Sequence, residues 1–203
     1  MNYLAIDTSG DYLTVIAVNG EKSSINYFPA TGVRHSITLM PRIEEALNSV
    51  SLTADGLDFV CAAVGPGSFT GIRIGVSTAK GIADGLNKKV LSITTLKAIA
   101  YAKPHGRRLA LVNAGHDHFY AEGYNEDQVD FEAKYISKEE VLELSKTHKL
   151  IANGPIDGLL CEEVDVSKGL NAAIRASLDK LSDDVNTLSP FYLRLSQAEE
   201  GRK

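Results

Sequence analysis

Residues 3–28 read YLAIDTSGDYLTVIAVNGEKSSINYF. The apolar run Tyr3-Leu4-Ala5-Ile6 ends at Asp7, and Thr8-Ser9-Gly10-Asp11 makes a tight turn into a second strand over 12–18. Asn19-Gly20 is the strongest short hairpin signal in the chain and leads to a third strand over 23–28. Three strands joined by tight turns form an antiparallel meander. Beyond it, Ile37, Met40, Ile43, Leu47 and Val50 recur at helical spacing, which predicts a helix over 35–49. Residues 58–64 are a continuous apolar run of strand length, as expected for a strand covered on both faces. A glycine-rich turn then opens a helix over 70–86, followed by a strand over 89–93 and a short helix over 95–102.

Lys103-Pro104-His105-Gly106 interrupts this pattern and is the best linker candidate. After it the order starts again, with strands over 108–114, 119–124 and 129–136. Ser137-Lys138-Glu139-Glu140 is a capping box opening a helix that carries Val141, Leu142 and Leu144. A strand over 149–152 and a helix over 170–181 complete the second half. An order β-β-β-α-β-α used twice is the ribonuclease-H-like plan, and two such units make the actin-like architecture. The expectation is an α/β chain of two domains, 1–102 and 103–203, each with a mixed sheet. It rests on element order alone, since no sequence repeat is visible.

The 203 residues suit one large or two small domains. With 44% hydrophobic and 23% charged residues, the chain can bury an ordinary core. A net charge of −5 argues against autonomous binding of a phosphate backbone, which needs a basic face. The longest basic cluster, Lys103 to Arg108, is interrupted. Cys61 and Cys161 sit in apolar surroundings and read as buried core residues, with no disulfide framework or zinc site. Asp7 comes too early for a signal peptide, and no apolar run approaches the roughly 20 residues of a membrane span. The expected location is the cytoplasm.

Gly65-Pro66-Gly67-Ser68-Phe69-Thr70-Gly71 lies between a strand and a helix, where backbone N–H groups and the helix dipole can hold an anion. Its spacing matches neither a P-loop, which needs Lys where Ile72 stands, nor a dinucleotide fingerprint. Three readings stay open: a tight turn with Ser68 or Thr70 as helix cap, an anion site, or a partner contact. The following helix has one apolar face of Ile72, Val76, Ala79, Ala83 and Leu86, and a second of Ile74, Thr78, Gly81 and Gly85. Interior glycines cost a helix up to about 1 kcal/mol each, a cost offset by close approach of another backbone. That backbone belongs either to the chain's own sheet or to a partner. Asp7, Gly67 and Ser68 are weak candidates for cofactor binding: Asp7 ends its strand as the metal-proximal aspartate of actin-like ATPases does, although a turn former is the commoner role. The matching hairpin Asn113-Ala114-Gly115-His116-Asp117 lacks the glycine pair and hydroxyls that cradle phosphates. His116 and His118 share a strand side but have no third ligand near them.

Leu4-Ala5-Ile6-Asp7-Thr8-Ser9, His35-Ser36 with Met40-Pro41, and VGPGSFTGIRIGVSTAK over 64–80 resemble the TsaB family, also called YeaZ. Tyr192-Leu193-Arg194 after Pro190 resembles that family's C-terminal signature. The match runs the whole length and is dense over 1–100. The resemblance implies an actin-like fold that has lost catalysis, with no catalytic residue, no metal and no tightly bound cofactor. It implies partnership with the metal- and ATP-using subunit TsaD, which transfers threonylcarbamoyl to the tRNA adenosine beside the anticodon, and with the ATPase TsaE. Docking to TsaD, or to a second copy, would use the helices over 35–49 and 70–86, with His35, Met40, Ile43, Leu47, Ile74, Thr78, Gly81 and Gly85 at the interface. ATP or ADP would sit only at a surface shared within the complex, and tRNA would be met only through it. The chain departs from the family pattern at Ile37, where glutamate is common, and at Asn113-Ala114-Gly115, where Asp-Ala-Arg is usual.

Three functions compete on the sequence: this accessory subunit, an active actin-like ATPase or metalloprotein, and a homodimeric binding module. The second lacks ligands, since the catalytic relative's His-x-x-x-His has no counterpart where His35 is followed by Leu39.

Overall fold

The structure, a computed structural model, describes residues 1–29 and 35–194. Strands β1 (Asn2–Asp7), β2 (Leu13–Asn19) and β3 (Lys22–Phe28) form the expected meander. β1 and β2 run antiparallel from Asn2–Asn19 to Asp7–Thr14, and β2 pairs with β3 from Asn19–Lys22 to Leu13–Phe28. Gly20 takes φ +61° at the hairpin, a conformation that costs glycine nothing. Helix α1 (His35–Ser49) leads to β4 (Phe59–Ala63), parallel to β1; α2 (Phe69–Gly85) leads to β5 (Lys89–Ile93), parallel to β4; α3 (Thr95–Tyr101) follows. The first sheet has the order β3-β2-β1-β4-β5.

The second half contains β6 (Arg107–Gly115), β7 (His118–Asn125), β8 (Gln128–Ser137), α4 (Lys138–Leu144), β9 (Lys149–Ala152), β10 (Glu162–Glu163) and α5 (Val166–Arg175). Its sheet order, β10-β9-β6-β7-β8, is that of the first sheet with corresponding strands. Ser137 and Glu140 make the capping box reciprocally. Two expectations are corrected. The short fifth strand β10 was not foreseen, and residues 153–161 cross to it as a loop, so the second half has no counterpart of α2. The last helix starts at Val166 rather than 170, because Asp165 accepts from the Ser167 and Lys168 N–H groups as its cap. It ends at Arg175, where the Ser177 hydroxyl bonds back to the Ala173 carbonyl.

Alternation along the strands builds a layered stack. Leu4 and Ile6 of β1, with Val15, Val60 and Ala62, meet Ile43, Leu47, Ile72, Val76, Ala79 and Ala83, so α1 and α2 cover one face of the first sheet. Tyr3, Ala5, Ile16, Phe59 and Cys61 point the other way onto α3 and α5. These two helices also cover the inner face of the second sheet through Ala110, Tyr124 and Ile151. Gly169 permits their crossing: a Cβ there would collide with the Ala98 carbonyl. The outer face of the second sheet packs Leu109, Leu111, Phe119 and Ile136 on Val141 of α4. Cys61 is fully buried, whereas Cys161 is half-buried, a correction to its expected core position.

After α5 the chain returns to the first sheet. Ser182 bridges Val90 of the edge strand β5, the Phe191 N–H donates to the Val64 carbonyl at 2.8 Å, and Leu188 is buried in the core beneath α2. This strap covers the β5 edge, which would otherwise present unpaired backbone groups. Tyr192 stacks on Phe69 at 4.9 Å, the Arg73 guanidinium lies 3.8 Å from the Phe69 ring, and Arg73 Nε donates to the Tyr192 hydroxyl at 3.0 Å.

Candidate functional site

The β1–β2 turn and the glycine-rich start of α2 are one unit. The Ser68 N–H donates to the Ser9 carbonyl at 2.6 Å, the Thr8 hydroxyl donates to the Gly71 carbonyl at 2.6 Å, and Thr95 Oγ1 donates to Ser9 Oγ at 2.9 Å. Ser68 caps α2, accepting from the Gly71 N–H at 3.2 Å. Added Cβ atoms would collide with the Ser9 carbonyl at Gly67, with the Thr8 carbonyl at Gly71 and with the Thr8 hydroxyl at Gly75. The carbonyls of Thr8 and Ser9 thus pack directly against the backbone of the turn at Gly71 and Gly67. Of the readings left open for this turn, the structure has the tight turn with Ser68 as the helix cap.

Asp7 is fully buried behind this turn. Its Oδ1 accepts from the Ser9 N–H at 2.8 Å and its Oδ2 from the Tyr12 hydroxyl at 3.0 Å. Burial raises its pKa, against the lowering effect of the Ser9 and Tyr12 hydrogen bonds. Both oxygens are engaged by the chain's own turn, which suits a turn former rather than a metal ligand. Gly67 and Ser68, the other weak cofactor candidates, lie in the same filled turn. At the corresponding hairpin, His116 and Asp117 take φ +53° and +55°, His118 stacks on Tyr135 at 4.8 Å, and Lys138 pairs with Asp117 at 3.6 Å. Among the described residues no group of three His, Cys, Asp or Glu could hold a metal ion.

The two outer helices separate the residues expected at a partner surface. On α1 the buried stripe is Leu39, Ile43, Ala46 and Leu47. Ile43 and Leu47 therefore face the chain's own core, and their expected place on a partner surface is corrected. Met40 is 49% exposed, as is its neighbour Ile37 at 62%; the spacing 37-40-44 is a separate stripe from 39-43-46-47. His35 opens the helix half-buried. On α2, Ile74 and Thr78 are half-buried and Gly81 and Gly85 exposed, with open space where a Cβ would stand on either glycine. The two glycine pairs have different jobs: Gly71 and Gly75 admit the chain's own turn, while Gly81 and Gly85 leave a shallow outer surface.

The basic cluster dissolves as a surface. Arg108 is 1% exposed, its guanidinium donating to the carbonyls of Ala100, Gly106 and Glu126. Lys103 pairs with Glu162 and Arg107 with Asp130. A cleft of about 370 Å³ opens between the two sheets, bounded by Tyr12, Tyr27 and Thr95 on one side and Val112, Asn113 and Asn153 on the other. No local motif marks it, because its walls come from segments far apart in sequence.

A family model described as TsaD, tRNA N6-adenosine threonylcarbamoyltransferase, matches residues 29–158. The tRNA threonylcarbamoyladenosine biosynthesis protein TsaB of Bacillus subtilis (strain 168) is 33% identical over 100 residues, covering 49% of this chain and 44% of that protein. TsaB of Escherichia coli (strain K12) is 29% identical over 133 residues, covering 63% and 57%. The matched stretches thus span about half the length of these relatives. The structure titled YeaZ from Pseudomonas aeruginosa superposes with a TM-score of 0.78 at 21% identity, covering 95% of this chain and 99% of that one. The duplicated sheets define a two-lobed, actin-like α/β protein. The chain belongs to the family that the TsaD model describes, and the curated relatives it is similar to are TsaB proteins. No helix among the described residues is long and apolar enough to cross a membrane.

Proposed function

We propose that this chain is a non-catalytic accessory subunit in tRNA threonylcarbamoyladenosine biosynthesis, docking on TsaD through the outer faces of α1 and α2. The observation that carries the reading is the open pair Gly81 and Gly85, flanked by half-buried Ile74 and Thr78, with exposed Ile37 and Met40 on the neighbouring helix. Gly81 costs helix stability with no internal contact in return, and Gly85, the last residue of α2, leaves the end of the same face open, which is accounted for if a partner helix approaches there. Exposed apolar side chains beside them lose water contact on the same event. A second copy would use this face when TsaD is absent, and TsaE would join the assembled pair. Any ATP or ADP would sit at a shared surface of the complex.

The non-catalytic part is supported by the engaged carboxylate of Asp7 and the carbonyl-lined turn. The basic residues spent on internal partners support the view that tRNA is held by the complex rather than by this subunit. Mixing the full chain with its cognate TsaD and following the mass of the complex by analytical ultracentrifugation tests the reading. A stable heterodimer is expected; two species sedimenting independently at micromolar concentration would contradict it.

A further inference from the structure

In the first half, the segment between β4 and β5 is α2, which packs on the outer face of the sheet beside α1. In the second half, the corresponding segment between β9 and β10 is the loop over 153–161, so α4 has no neighbouring helix on that face. Ile156 and Leu159 of the loop cover part of the outer face of the second sheet. They leave a groove of about 630 Å³, bounded by Leu142 of α4, Leu150 of β9 and the loop residues Leu159, Leu160 and Cys161. Leu160 is 97% exposed and Leu142 49%. Leucines held in water beside an apolar groove are surface that association would remove from water. The groove lies on the other lobe from α1 and α2, and an inference from it does not depend on the docking reading.

We propose that this groove receives an amphipathic helix of a partner protein, with an apolar stripe flanked by lysines or arginines. The fold itself uses a helix at the corresponding place in the first half, where α2 lays Ile72, Val76, Ala79 and Ala83 on the sheet. A helix docked on the second sheet repeats that packing from outside, with its anchors at i, i+3, i+4 and i+7. Strand addition is disfavoured, because β10 pairs over only two residues, both glutamates, and so makes a short, charged edge. Charge selects the flanks of the incoming helix. The segments that frame the groove, 138–163, carry six carboxylates against three lysines, and Asp157 and Glu163 among them are exposed. This balance favours a basic partner and disfavours an anionic lipid surface.

Fluorescence anisotropy of a labelled leucine–lysine peptide of about 18 residues at helical spacing, titrated with the full chain, tests this. A leucine–glutamate peptide of the same pattern is the counterpart. The leucine–lysine peptide is expected to saturate one site with a Kd at or below about 100 μM, and the leucine–glutamate peptide to bind at least tenfold more weakly. The double variant Leu142→Ser, Leu160→Ser should weaken binding at least fivefold with little change in melting temperature, since both side chains are exposed. Gly85→Leu should bind the peptide as wild type does, which separates this groove from the face of α2. No saturable binding, equal affinity for the two peptides, wild-type affinity in the double variant, or loss of binding in Gly85→Leu would overturn the proposal. So would co-sedimentation with phosphatidylcholine vesicles that the double variant loses, which would assign the groove to a membrane. Association with TsaD, measured separately, stands or falls on its own.

Discussion

The Thr8 hydroxyl donates to the Gly71 carbonyl at 2.6 Å, and the Thr8 carbonyl oxygen occupies the space that a Cβ on residue 71 would need. The β1–β2 turn is therefore keyed into the first turns of α2. Gly71→Ala must push these backbones apart, and overpacking of this kind costs roughly 1–3 kcal/mol. Gly81→Ala meets open space and is expected to stabilise by up to about 1 kcal/mol through helix propensity. Urea unfolding of the two variants should shift in opposite directions.

Asp7 makes stability depend on pH with a definite sign. Burial raises its native pKa above the ordinary value of 3.8, so the native state keeps its proton where the unfolded state has lost it. Stability should be greatest below that ordinary value and fall as pH rises through the raised native value, then level off. Asp7→Asn can still accept from the Ser9 N–H and donate to Tyr12, and should flatten this part of the profile. Asp7→Ala leaves the Ser9 N–H without its acceptor and is expected to cost about 1–3 kcal/mol at neutral pH. Melting temperatures of the three proteins across pH check both statements.

Leu188 belongs to the strap after α5 yet is buried in the core under α2. Leu188→Ala should destabilise by about 2–5 kcal/mol. The near-UV signal of Tyr192 and Phe69, which stack beside the strap, should be lost in the same transition as the helices. A separate early transition would mean that the strap adds nothing to the first core.

With net charge −5, Arg108 buried and Lys103 and Arg107 paired, the cluster over 103–108 is not a basic stripe from which to release counterions. Bare tRNA is expected to bind weakly, and purified protein to show no magnesium-dependent ATP turnover. Filter binding across a salt series and a phosphate-release assay measure these. Tight, steeply salt-dependent binding, or turnover abolished by Asp7→Ala, would contradict them.

Much of the first half was legible because its signals are local. The meander follows from Asn19-Gly20 and period-two alternation, and α1 from the recurrence of Ile43 and Leu47. The second half was less so. β10 is a two-residue strand, Glu162–Glu163, held by pairing with β9 rather than by any apolar run of its own. The loop over 153–161 gives no sign that a helix is absent there. On α1, the apolar positions blend two stripes, and only the packed sheet separates buried Ile43 from exposed Ile37 and Met40. The two glycine pairs of α2 have the same spacing, so their different neighbours could not be told from the sequence. The cleft is a product of tertiary juxtaposition throughout.

On the proposed docking, the outer face of α2 serves a partner and not the monomer. Gly85→Leu tests it, because a Cβ there meets nothing within 4 Å. A melting temperature equal to or slightly above wild type is expected, together with loss of association with TsaD and of self-association in analytical ultracentrifugation. A variant that binds TsaD with wild-type affinity, whatever its melting temperature, would rule out docking through this face.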